Sequence, residues 1–254
     1  MTDYLGLLRL DERVALVTGA GQGIGRATAH ALAQAGATVA VTDLDLAAAE
    51  QVATEIGRGA AFALDVADEG QVAATVGAVL ERFGRIDVLV NNAGLGARMP
   101  TVELPAERWR QVMAVGPEGT FFCAREVGRH MIAAGRGSVV NLASIMGFVG
   151  TTRYANLAYH AAKGAIVNMT RALACEWAGK GVRVNAVAPT FVRTRLTDAL
   201  LTDPEMERAL LADTPMGRFA TPEEVAAAIL FLAGDAASMI TGTILPVDGG
   251  WLAR

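Results

Sequence analysis

The property that most constrains this chain is an alternation. Short apolar runs, separated by longer stretches of helical periodicity, recur from residue 13 to residue 247. Strands are expected at 13–18, 38–42, 60–64, 86–90, 138–142, 182–187 and 243–247. Helices are expected at 23–36, 46–57, 69–84, within 106–134, at 156–179 and at 222–233. Parallel strands need a crossover between them, and a helix is the usual one. The alternation therefore implies an α/β fold: a doubly wound parallel sheet with helices on both faces. No internal repeat, low-complexity segment or linker divides the chain, so a single domain over residues 1–254 is expected.

Hydrophobic residues make up 52% of the 254, and the mean hydropathy is +0.35, which suffices for a large core. The net charge is -4 and no basic run is present, which argues against a nucleic-acid partner. No uncharged run stays apolar for the ~18 residues of a membrane helix. Residues 1–9 show no apolar segment with a small-residue cleavage site, so a cytoplasmic location is expected. Cys123 and Cys175 fall in apolar helical surroundings and are expected to be buried free thiols. His30, His130 and His160 lack metal-ligand spacing, and no metal is expected.

The segment VALVTGAGQGIGRA sets a glycine-rich turn between an apolar strand and a helix. The spacing G-x-G-x-x-G fits in no register; G-x-x-x-G-x-G fits, at Gly19, Gly23 and Gly25. Glycines allow a tight turn and a close approach of a pyrophosphate to amides at a helix N-terminus, where the dipole favours negative charge. Asp43 ends the second strand about 20 residues further on, where a ribose-binding acid is expected. Its carboxylate would accept from ribose hydroxyls and repel a 2′-phosphate. Its expected neighbours, Gln22 and Leu44, are not basic. NAD is therefore expected as the cofactor, with Asp65 near the adenine edge.

The chain has three tyrosines and two lysines, and Lys163 follows Tyr159 by four residues in YHAAK. On a helix these positions share a face. A phenol with a pKa near ~10 is a poor base at neutral pH, and a nearby ammonium favours its phenolate. Such a pair is expected to act as an acid–base unit on an alcohol or ketone. Ser144, within NLASIMG, closes the strand expected at 138–142 and would polarise the same oxygen.

These motifs, with DV at 65–66, NNAG at 91–94, VRVNAVAP and TGTILPVDGG, give the chain a resemblance to the short-chain dehydrogenase/reductase family over nearly its whole length. The resemblance implies a Rossmann-type sheet, NAD(P) binding and a catalytic set of Ser144, Tyr159 and Lys163, with the lysine lowering the tyrosine's pKa and holding the nicotinamide ribose. It places Asn92 and Gly94 on the nicotinamide side, Val192 and Thr194 at the carboxamide, and Ile24, Val66 and Pro189 along the cofactor. It also implies a homotetramer. Within the family, the opening residues and the run at 214–238 look most like polyol and secondary-alcohol dehydrogenases. A 3-oxoacyl-type reductase and a weakly catalytic dinucleotide-binding subunit are the alternatives.

Two positions depart from the family pattern. Gly116 stands where asparagine is usual, and Thr190 where glycine is usual after the proline. Gly116–Pro117 is expected to break the helix within 106–134. The segment 190–221 interrupts the alternation and is expected to form a substrate lid of short helices. A mainly apolar pocket is expected from Leu95, Gly96, Ile145, Met146, Tyr154, Phe191, Leu196 and Leu200, with Asn156 and Arg153 available to a polyol. That lining suits an uncharged alcohol or ketone better than an anion.

Overall fold

The computed structural model describes residues 2–253, apart from the side chain of Ala199; Met1 and Arg254, the ends of the expected domain, lie outside them. The strands are β1 (Val14–Thr18), β2 (Thr38–Asp43), β3 (Gly59–Ala63), β4 (Val88–Asn91), β5 (Gly137–Leu142), β6 (Val182–Pro189) and β7 (Ile244–Val247). They form one sheet in the order β3-β2-β1-β4-β5-β6-β7. Every pairing is parallel. The helices are α1 (Gly23–Gln34), α2 (Leu46–Ile56), α3 (Glu69–Phe83), α4 (Ala106–Met113), α5 (Gly119–Ala133), α6 (Leu157–Trp177), α7 (Arg195–Leu201), α8 (Pro204–Ala212) and α9 (Pro222–Ala233). This is the expected Rossmann-type α/β fold.

Burial explains the two layers. On one face Leu32 of α1, Val52 of α2 and Ile229 of α9 pack on Val17, Val39 and Val90. On the other, Val76 of α3, Val127 and Met131 of α5, and Trp177 of α6 pack on Leu16, Leu89 and Val139. Each buried aliphatic side chain contributes roughly 1.5–3 kcal/mol. All five residues of β1 are buried, as a central strand covered on both sides requires. Helix starts are marked locally. Asp45 caps α2 by accepting from the Ala48 amide at 3.2 Å. Thr221 and Glu224 form a capping box around Pro222 at the start of α9.

The segment 106–134 is two helices joined by a π turn at Ala114–Glu118. Pro117 has no N–H to give and its ring crowds the turn before it, so the ladder widens there. The segment 190–221 holds α7 and α8, with a core of its own. Phe191, Leu201, Leu210, Phe219 and Trp251 pack with Ile145 and Met146. The Phe191 and Trp251 rings lie 5.5 Å apart. Cys123 is buried as expected, but Cys175 is exposed. Its neighbour Ala174 takes the inward position on α6, which turns Cys175 out to solvent. Among the described residues no helix is long and apolar enough to cross a membrane, and no cluster of three potential metal ligands occurs.

Candidate active site

The order of the strands reverses at β1 and β4. A cavity of about 390 Å³ opens there, beyond the carboxyl ends of the strands. Gly19, Gln22, Gly23 and Ile24 line it. Gly19 turns at φ 60°, a backbone state that side chains disfavour. Gln22 is the N-cap of α1 and makes no side-chain capping bond, which leaves the first-turn amides to an anion. Gly25 does not line the cavity. It is buried under the loop, where an added Cβ would fall 2.1 Å from the Gly19 carbonyl oxygen. Its contribution is to let the helix pack against the turn.

Asp43 lines the cavity too, at the end of β2. Its Oδ2 accepts from the Gly21 amide at 2.8 Å and its Oδ1 from the Asp45 amide at 3.1 Å. Asp45, not Asp43, caps the next helix, so the Asp43 carboxylate is committed to the loop and the cavity. Asp65 accepts from the Ala67 amide at 2.9 Å and, with Val66, forms a further stretch of wall. Asn92 binds the loop directly: its Nδ2 donates to the carbonyls of Thr18 and Gly19, both at 2.8 Å. Gly94, Pro189, Val192 and Thr194 also line the cavity. An amide-rich turn, an uncapped helix end and a carboxylate at the next strand tip fit a nicotinamide dinucleotide.

Ser144, Tyr159 and Lys163 meet on this cavity. α6 presents Tyr159 and Lys163 on one side, with the ammonium nitrogen 5.6 Å from the phenol ring centre. Lys163 is 5% exposed, and its Nζ donates to the Leu142 carbonyl at the end of β5. Burial pushes its ammonium down to about 8. Burial also pushes the Tyr159 phenol up; a hydrogen bond with Ser144 and the charge of Arg98 pull the other way. Lys163 stands over the ring face and gives one of its three donors to the Leu142 carbonyl.

A smaller cavity of about 50 Å³ adjoins the first and shares Ser144, Tyr159, Thr190, Leu196 and Thr197 with it. Gly96, Ile145, Met146, Tyr154, Asn156 and Phe191 line it, as expected. Three expected residues do not. Leu95 faces the larger cavity, Leu200 packs inside the 190–221 core, and Arg153 pairs with Asp213 at 2.9 Å. Two residues that serve the site were not foreseen, one in the pocket wall and one behind it. Among the described residues, Arg98 is the only charged one lining the smaller cavity. Its sole sequence signal was its place four residues after Gly94. Asn141 is the other: its Nδ2 donates to Thr170 Oγ1 of α6 at 2.9 Å, and its Oδ1 accepts from Asn91 Nδ2 at 2.9 Å. This buried chain ties α6 to β4 and β5 and so fixes where Tyr159 stands.

The two departures from the family pattern are both buried. Thr190 is 9% exposed, and its Oγ1 has no hydrogen-bond partner. Gly116 lies in the π turn, where an added Cβ would meet the Ala162 Cβ at 3.3 Å. A side chain there would press on α6 next to Lys163.

A family model described as enoyl-(acyl carrier protein) reductase matches residues 19–252. The chain belongs to the short-chain dehydrogenase/reductase family and is an oxidoreductase of that class. It is 46% identical over 250 residues to D-threitol dehydrogenase of Mycolicibacterium smegmatis, covering 97% of this chain and 95% of the relative. It is 45% identical over 251 residues to a galactitol 2-dehydrogenase (L-tagatose-forming) of Cereibacter sphaeroides, covering 98% of each. Among solved structures, a gluconate 5-dehydrogenase from Burkholderia cenocepacia in complex with NADP and tartrate superposes with a TM-score of 0.95 at 35% identity, covering 99% of this chain and 100% of that one.

Proposed function

We propose that the chain is an NAD-dependent dehydrogenase that interconverts a polyol-type secondary alcohol and its ketone. The observation that carries this reading is that Ser144 and Tyr159 stand at the seam between the two cavities, with Lys163 beside them on the larger one. The relatives named for threitol and galactitol support the alcohol class. Asp43 supports NAD. A 2′-phosphate would face its carboxylate, and the neighbouring wall residues Leu44 and Gln22 offer no positive charge. The basic residues lining that cavity, Lys163 and Arg195, belong to α6 and α7.

When bound, the nicotinamide supplies the hydride acceptor. Ser144 hydrogen-bonds the substrate oxygen and holds it beside Tyr159. The Tyr159 phenolate takes the hydroxyl proton and becomes the phenol; with the hydride that a bound nicotinamide would accept, one alcohol would give one ketone. Lys163 holds its positive charge behind the ring and has donors for the ribose. Phe191 and Leu196, from the 190–221 segment, cover the substrate and exclude water.

The test is a panel of secondary alcohols offered with NAD and, separately, with NADP, following nicotinamide reduction. Faster reduction of NAD, with polyols or vicinal diols among the substrates, supports the reading. Reduction of NADP alone would show that Asp43 does not face the ribose.

A further inference from the structure

Among the described residues, Arg98 is the one charged residue in the wall of the smaller cavity, and no carboxylate shares that wall. Among the described residues it forms no ion pair with Asp or Glu. Its Nη2 donates to the Leu196 carbonyl at 2.8 Å, and its guanidinium carbon lies 5.9 Å from the centre of the Tyr154 ring. Those two contacts fix the plane of the group and use one of its five N–H donors, so the others are left to a ligand. Ser144 and Tyr159 line the same cavity as Arg98.

Two further groups in the same cavity lack partners of their own. Asn156 is 6% exposed; its Oδ1 is committed to the Ala97 amide at 3.1 Å, while its Nδ2 faces the open side of Gly96. Thr190 Oγ1 is buried without a partner. A polyol would engage Asn156 and Thr190, but it gives a guanidinium no charge to match. A planar carboxylate does, through a two-point contact of the kind Arg favours over Lys.

We propose that Arg98 is the specificity-determining residue of the pocket and reads a carboxylate, so that the preferred substrates are short hydroxy acids of the sugar-acid class, oxidised at a secondary hydroxyl. This rests on the dehydrogenase reading and narrows its polyols to those that carry a carboxylate; the expectation of an uncharged substrate left Arg98 out of the lining. The rival role for Arg98 is mechanical, as a clamp on Leu196 and Tyr154.

Threitol and threonate share a four-carbon skeleton and differ in one carboxylate. Their kcat/KM values are measured with saturating NAD for the wild type, Arg98→Gln and Arg98→Lys. The wild type is expected to favour threonate by about tenfold or more, the size of a charge-assisted hydrogen bond lost or gained. Arg98→Gln is expected to lower the threonate value about tenfold more than the threitol value, mainly through KM, with partial recovery in Arg98→Lys. Equal losses on both substrates, or a wild type that prefers threitol, would overturn the proposal in favour of the clamp. A second readout needs no turnover. Tartrate, with carboxylates at both ends, should raise the melting temperature of the NADH complex in the wild type and not in Arg98→Gln. The same rise in both proteins would overturn the proposal. Absence of turnover on every alcohol would defeat the dehydrogenase reading, while the tartrate arm would still decide what Arg98 binds.

Discussion

The two cavities are built in different ways. The larger is organised on backbone at its phosphate end: a glycine turn and the open end of α1, with Asp43 and Asn92 at neighbouring strand tips. The smaller is mostly side chain: Ile145, Met146, Tyr154, Phe191 and Leu196 converge from three separated parts of the chain. A backbone site is carried by local geometry, so few residues serve it. A side-chain site is carried by packing, so almost any apolar set of suitable volume serves. The difference suits a common cofactor beside a variable substrate.

The comparison predicts that each cavity fails separately, and Tyr159 at their seam gives the largest effect. Tyr159→Phe keeps the ring and removes the proton acceptor. Turnover should fall about a thousandfold, within the ~10²–10⁴ range of general acid–base catalysis. NADH affinity, measured by fluorescence titration, should stay within a factor of a few. Near-normal rates would show that the proton goes elsewhere.

Leu210 tests the substrate side. It is fully buried in the core of the 190–221 segment, distant in sequence from the glycine turn. Leu210→Ala should cost about 2–5 kcal/mol of packing. The cost should appear as a raised substrate KM and early proteolysis within 190–221, with NADH affinity retained. Loss of NADH binding of the same size would mean that the two sides are not separable.

Gly25 tests the cofactor side. An added methyl would fall 2.1 Å from the Gly19 oxygen, so the turn must shift in Gly25→Ala. Overpacking of this kind costs roughly 1–3 kcal/mol, or about 5- to 150-fold in NADH affinity. Substrate KM at saturating cofactor should change little. Asp43→Ser should have a smaller effect on NAD affinity and a clear effect on choice. Removing the carboxylate relieves the repulsion of a 2′-phosphate, so the NAD-to-NADP ratio of kcat/KM should fall by about tenfold. An unchanged ratio would place the discrimination elsewhere.

The same distinction explains what the sequence made legible. The seven strands and the glycine turn were readable because alternation and glycine spacing are local signals. The nearness of Tyr159 and Lys163 was readable because four residues make about one helical turn. The π turn at Ala114–Glu118 was half readable: Pro117 showed that the helix must break, but not that it would widen and continue. Arg98 was not readable as a pocket group. Its direction depends on the Leu196 carbonyl, which lies 98 residues away in sequence. The Asn91–Asn141–Thr170 chain was hidden for a similar reason, since buried polar residues declare themselves only through partners. The bond from Lys163 to the Leu142 carbonyl was not readable either, because spacing gives neighbours and not a donor's target.

The smallest predicted effect concerns pH, and its sign follows from these partners. Alcohol oxidation needs the phenolate, so its kcat/KM rises with pH through the Tyr159 pKa. Burial raises that pKa; the Ser144 hydrogen bond lowers it most and the Arg98 charge next. Removing either group makes the phenol harder to ionise. The rising limb should therefore move to higher pH in Ser144→Ala, and to a lesser extent in Arg98→Gln. Salt separates the two causes. The pull of the exposed Arg98 guanidinium is screened by added salt, whereas a direct hydrogen bond is not. Raising ionic strength should shift the wild-type limb toward alkaline pH and leave that of Arg98→Gln in place. A salt-driven shift of equal size in both proteins would assign the long-range charge to another group, with Lys163 the first to examine.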